Sequence, residues 1–233
     1  MLFSILNSGD PLYALLSCLL TIPILLLALS LHETAHGWVA WRCGDPTARN
    51  LGRLTLNPLK HLDPIGLICL MIFGYGWAKP VPINTRYFRK PKQGMALTAT
   101  AGPAANLLLG ALNAVLYGIS WGLFSLAPKA AFVYTLLSIL TETFFYAAAL
   151  NFMFALFNLI PLPPFDGSRI ALVILPERLY FGVMRYERQI MFVLLIAMLI
   201  LSNFGFSPFS YLAMRLTDLI GRPIATGVLS LFY

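Results

Sequence analysis

Apolar residues run almost unbroken from Pro11 to Leu31, and a helical pattern continues through Trp41. About 20 apolar residues at about 1.5 Å each cross a hydrocarbon core, so this run predicts a first membrane helix. The next apolar run, Ile65 to Trp77, has thirteen residues and three glycines. It is too short to cross comfortably. Arg42, Arg49, Arg53 and Lys60 precede it, and Lys79, Arg86, Arg89, Lys90 and Lys92 follow it. Basic loops stay on the cytoplasmic side. The pattern therefore predicts that loops 42–63 and 79–93 both face the cytoplasm. Residues 65–77 are then re-entrant or lie on the membrane surface, and the Pro-rich Ala78–Asn84 forms a turn or extended hairpin.

Met95 to Ala127 is longer than one span needs, and predicts a crossing with its excess at the outer surface. The loop that follows carries a single base, Lys129, as an outer loop should. A returning helix ends at Ile160-Pro161. Glu142 lies 18 residues before Ile160, roughly 27 Å along a helix, and reads as a carboxylate at the outer interface. Ile190 to Phe206 predicts a further crossing. The tail from Ser207 mixes Arg215, Asp218 and Arg222 into apolar sequence, which fits an interfacial helix or one more span. The expected fold is an all-α polytopic membrane protein with about four to six membrane helices and a re-entrant or membrane-surface segment after the first. It reads as one integral-membrane domain, residues 1–233, with a core at about 11–170 and peripheral C-terminal helices at about 171–233.

Composition narrows the class. Of 233 residues, 59% are hydrophobic and 11% charged, whereas a soluble domain carries about 25% charged residues. A soluble globule would expose large apolar patches. Disorder is excluded by the same figures, and three cysteines cannot staple a chain of this length. The net charge of +7 sits in clusters between apolar runs, not in a stripe interleaved with aromatics. That pattern points to a lipid bilayer as the partner and not to nucleic acid. No base precedes Arg42, so residues 12–31 lack the basic flank of a secretory signal and read as a retained helix.

The chemistry concentrates at the inner end of the first helix, in His32-Glu33-Thr34-Ala35-His36. Positions i and i+4 share a helix face, so both imidazoles can converge on one zinc ion, while Glu33 is rotated to where it can take a proton from the attacking water. Two of the three histidines in the chain are used here. Histidine and glutamate at the end of an apolar helix are costly unless paired or bound to metal. A catalytic zinc usually takes three protein ligands, and the remaining candidates near the same side are Asp45, His61, Asp63 and Asp166. Asp45, His61 and Asp63 fall in a charged loop where ordinary solvation explains them. Asp166 follows Pro161, Pro163 and Pro164, which break the helix where a carboxylate would turn inward.

The HExxH segment and Asn158-Leu159-Ile160-Pro161-Leu162-Pro163-Pro164-Phe165-Asp166-Gly167 together resemble the paired signatures of the site-2 protease family, intramembrane zinc metalloproteases. The second segment follows N-x-x-P-x-P-x-x-D-G. Ala101–Asn106 and Gly76–Asn84 also resemble segments of small bacterial members, and the likeness extends over about residues 20–175. It implies one zinc per chain held by His32, His36 and Asp166, with Glu33 as general base. It further implies an endopeptidase cutting membrane-protein substrate helices in or near the membrane, in a multi-pass inner or plasma membrane protein whose active site faces the cytoplasm. The PDZ or CBS domains of some members are not seen. Asn158 would donate to the developing oxyanion or hold the substrate; alternatively it bonds nearby backbone at its helix end. Asn106 is more simply read with Gly102, Ala104 and Ala105 as close helix packing. The 74–84 segment offers an edge to an unwound substrate or is a structural loop. A transporter with a metal site and an inactive client-binding scaffold are the competing classes, and Glu33, a carboxylate with no ligating duty, separates them from a protease. Nothing in the sequence fixes an oligomeric state.

Overall fold

The computed structural model describes residues 11–66, 68, 78–129, 132–203 and 208–232. Eight α-helices cover most of them: α1 (Pro11–Arg42), α2 (Thr47–Asn50), α3 (Pro91–Leu126), α4 (Phe132–Asn158), α5 (Gly167–Ile174), α6 (Glu177–Met184), α7 (Glu187–Asn203) and α8 (Pro208–Leu229). Among the described residues the nearest thing to a sheet is one antiparallel bridge, Leu62 to Ala78. The all-helical expectation therefore holds. Two described helices, α3 and α4, are long and apolar enough to cross a membrane.

Local chemistry sets the ends of these helices. Pro91 starts α3 at a position where a missing N–H costs nothing. Beyond Arg42, α1 stops at Gly44, whose φ of 115° suits glycine. Pro161, Pro163 and Pro164 prevent α4 from continuing past Asn158.

The helices pack through small residues. Ala114 of α3, Ala148, Ala149 and Phe152 of α4, and Ala213 of α8 form the buried cluster at the centre. Gly110 lets the Phe152 ring approach so closely that a Cβ there would lie 2.9 Å from it. In α8, Ala213, Thr217, Gly221 and Ala225 recur every four residues and are all buried or nearly so. This stripe seats against α3, where Gly118 faces Gly221 and Ile224, and Gly122 faces Ala225 and Val228. The tail with an ambiguous charge pattern is thus a helix packed against α3 and α4. Its charges are accommodated locally: Arg222 pairs with Asp218 at 2.7 Å, and Arg215 Nε donates to Tyr211 Oη.

The two basic loops fold against each other. Lys79 N donates to His61 O at 2.8 Å, Asn84 N to Asp45 Oδ2 at 2.6 Å, and Arg89 N to Cys43 O. Most of the apolar run between them, positions 67 and 69–77, lies outside the described residues, so its expected re-entrant course does too. One expectation for these loops is corrected. Asp45 and His61 are not solvated but fully buried. Asp45 can be buried because Thr47 N, Thr47 Oγ1 and Asn84 N all donate to its carboxylate. Nε2 of His61 is hydrogen-bonded to Thr55 O at 2.8 Å. Asp63 accepts from Gly66 N.

Candidate metal centre

On α1, His32 and His36 stand one turn apart and both are buried, with rings edge to face at 4.6 Å. Their Nε2 atoms lie 3.0 Å apart. Asp166 Oδ2 lies 3.1 Å from each. Among the described residues these three are the group able to hold a metal ion.

Three elements bring them together. After α4, the chain turns through the proline-rich segment and restarts as α5, with Asp166 at its N-terminal cap position. Its side chain caps nothing and turns to the imidazoles instead. Gly167 permits the turn, because a Cβ there would overlap the carbonyl oxygens of Leu159 and Ile160. From α3, Gly102 faces the cluster. A Cβ at Gly102 would collide with His36 Nε2 and would lie 2.6 Å from His32 Cε1 and Nε2.

The outer nitrogens fix the rings. Nδ1 of His36 bonds Thr98 O at 2.7 Å, and Nδ1 of His32 bonds Asn106 Oδ1 at 2.9 Å. Both partners accept, so each Nδ1 carries the proton and each Nε2 directs a lone pair at Asp166. Two lone pairs and a carboxylate oxygen crowded together repel unless a cation or a shared proton lies between them. The near-equilateral triangle is slightly tighter than the edge of about 3.3–3.4 Å in a tetrahedron with bonds of about 2.05 Å. Zinc fits this donor set, with N, N and O ligands and the space at Gly102 beside them.

Glu33 stays outside the cluster. Its Oε2 accepts from Val81 N at 2.9 Å. Val81 belongs to a strap, residues 78–84, fastened along its length. Arg53 Nη2 donates to Lys79 O at 2.7 Å and to Pro80 O at 3.3 Å. Gly37 leaves room for Val81, since a Cβ there would lie 3.2 Å from Val81 Cγ1. Asn158, at the end of α4, donates through Nδ2 to Phe154 O at 3.0 Å, the backbone bond of its alternative reading.

Sequence reasoning missed Thr98, Val81 and Asn151, and gave Asn106 only a packing role. Thr98 and Val81 act through backbone atoms and leave no side-chain signal. Asn106 and Asn151 did leave one, as two primary amides inside apolar helices.

Two apolar helices of membrane-spanning length, α3 and α4, pack beside a third, α1, whose two histidines one turn apart meet a carboxylate from the junction after α4, forming a two-His, one-carboxylate cluster of the HExxH type that could hold a metal ion. Comparison with known proteins agrees. The family model for Peptidase family M50 matches residues 20–202. The chain therefore belongs to Peptidase family M50, the site-2 protease family. It is 43% identical over 148 residues to the Bacillus subtilis protein named "Putative zinc metalloprotease YwhC", covering 63% of this chain and 64% of that one. It is 34% and 30% identical to the proteins named "Putative zinc metalloprotease Rip2" of Mycolicibacterium smegmatis and Mycobacterium tuberculosis, in each case over 61% of this chain and 52% of the relative. The match thus spans between half and two thirds of the length of these relatives. No solved structure matches the chain.

Proposed function

We propose that the chain is an intramembrane zinc endopeptidase that hydrolyses peptide bonds in or near the transmembrane segments of other membrane proteins, with its active site toward the cytoplasm of a multi-pass inner or plasma membrane protein. One observation carries this reading: His32 Nε2, His36 Nε2 and Asp166 Oδ2 converge within 3.1 Å, while Glu33, between the two histidines, is held apart by Val81. His32, His36 and Asp166 would hold one zinc. When bound, zinc supplies a Lewis acid that acidifies water and polarises a carbonyl.

The side chains divide the remaining work. Glu33 is free of ligation and available as general base, taking the proton of the attacking water and passing it to the leaving amine. Thr98 O and Asn106 Oδ1 keep both imidazoles turned inward. Asn158 has a second N–H besides the one given to Phe154, and with it can position a substrate carbonyl. The contact between loops 42–63 and 79–93 supports placing both on one side of the membrane, and their bases favour the cytoplasmic side.

Metal content tests the ligand set. The purified wild type should hold about one zinc per chain. His36→Ala and Asp166→Ala should each lose most of it together with cleavage of tagged single-span proteins, and Asp63→Ala should lose neither. Full zinc and cleavage in Asp166→Ala would remove Asp166 from the site.

A further inference from the structure

Two fully buried amides lie inside the apolar helix bundle. Asn106 on α3 and Asn151 on α4 are 1% and 0% exposed, in helices whose neighbouring contacts are made by Ala147, Ala148, Phe152 and Gly110. Burying an amide in an apolar bundle is costly unless its polar atoms are hydrogen-bonded. Their hydrogen bonds form a line that ends on the metal centre. Asn151 Nδ2 reaches Ala147 O at 2.8 Å, Asn106 Nδ2 reaches Asn151 Oδ1 at 3.4 Å, and Asn106 Oδ1 reaches His32 Nδ1 at 2.9 Å.

We propose that Asn151 is a positioning residue for the metal centre, acting through Asn106 to hold His32 with Nε2 toward His36 and Asp166. The proposal rests on the reading of His32 as an Nε2 ligand. From that end every orientation in the line follows. A lone pair on Nε2 requires the proton on Nδ1, and that proton needs an acceptor. Asn106 must therefore present Oδ1 to the ring, which turns its NH₂ group toward α4. There Asn151 must present Oδ1 in turn, which leaves its own NH₂ for Ala147 O, four residues back on its helix. Nothing about the shape of Asn106 enforces this. An amide turned by 180° occupies almost the same volume, and it would set NH₂ against Nδ1–H and favour the ring form that cannot ligate. Asn151 Oδ1 is what rewards the correct orientation. In this way α4, which carries the chain on to Asp166, also sets the donor atom of His32 on α1.

Zinc affinity in purified, detergent-solubilised protein, measured by competition with a chelator, tests the line without reference to cleavage. Loss of an outer-shell partner typically costs about 10–100-fold in metal affinity. Asn106→Leu is expected to fall in that range and Asn151→Leu to lose about tenfold. Asn151→Asp keeps an acceptor for Asn106 and is expected to bind zinc as the wild type does, which also covers the case in which leucine disturbs folding. The diagnostic variant is Asn106→Asp. Either carboxylate oxygen accepts from His32, so orientation no longer matters, and adding Asn151→Leu to it should cost nothing further. Wild-type affinity in Asn151→Leu, or a loss that persists undiminished on the Asn106→Asp background, overturns the relay. A wild type that holds no zinc overturns instead the ligand reading beneath it, and the relay with it.

Discussion

Gly102 carries a hydrogen where any other residue would push a Cβ into the rings of His32 and His36. A site needs its ligands within about 0.5 Å of the productive geometry, so one methyl group there matters more than its volume suggests. Gly102→Ala should lower zinc affinity by about tenfold or more and destabilise the fold by about 1–3 kcal/mol through overpacking. Chelator competition and thermal unfolding check the two effects; unchanged zinc affinity would show that Gly102 does not guard the ligand pocket. At this scale the sequence was most legible where chemistry needs a side chain. The H-E-x-x-H spacing singled out His32 and His36, the prolines before Asp166 marked a carboxylate able to turn inward, and the fold brings these three side chains together. The sequence was least legible where backbone does the work, as with Thr98 O and Val81 N. Asp45 and His61 were misread because a charged stretch of loop says nothing about the donors and acceptors that tertiary folding brings to it.

The strap 78–84 is the element that meets Glu33, the proposed general base. Its ties to His61, Arg53, Glu33 and Asp45 hold a backbone N–H in place against Glu33. Pro82 already confines Val81 to extended backbone, so Val81→Pro removes the N–H with little change of path. Val81→Ala keeps the N–H and trims only the packing against Gly37. Cleavage should fall about 10–100-fold in Val81→Pro with zinc content unchanged, and the loss should be mainly in kcat because the substrate surface is kept. Equal effects of proline and alanine would assign Val81 to packing alone. Sequence pattern gave the helical elements well, since apolar runs of membrane length leave few alternatives. It was equivocal for α8, because Arg215, Asp218 and Arg222 obscured the four-residue spacing of Ala213, Thr217, Gly221 and Ala225, and only packing against Gly118 and Gly122 shows which face is buried.

For the whole molecule, the arrangement joins three helices at one level: α1 supplies both histidines, α3 the partners Thr98 and Asn106, and the end of α4 leads to Asp166. Loops 42–63 and 79–93 meet beside that level, so they should share one side of the membrane. Single cysteines at Thr55 and Arg89 should react together with a membrane-impermeant thiol reagent from the cytoplasmic side, and opposite accessibility would refute this topology. The central claim, that these groups form a hydrolytic centre and not a metal store, turns on Glu33. Glutamine keeps its size but cannot accept the proton of water, and general-base loss costs about 10²–10⁴ in rate. The most direct measurement compares zinc-loaded wild type with Glu33→Gln against a panel of tagged single-span membrane proteins, following zinc content, cleavage products and co-purified substrate. The expected result is products from the wild type only, with equal zinc and retained or increased substrate capture in Glu33→Gln. Wild-type cleavage by zinc-loaded Glu33→Gln would contradict the role of Glu33, and no cleavage by the zinc-loaded wild type across the panel would contradict the protease itself.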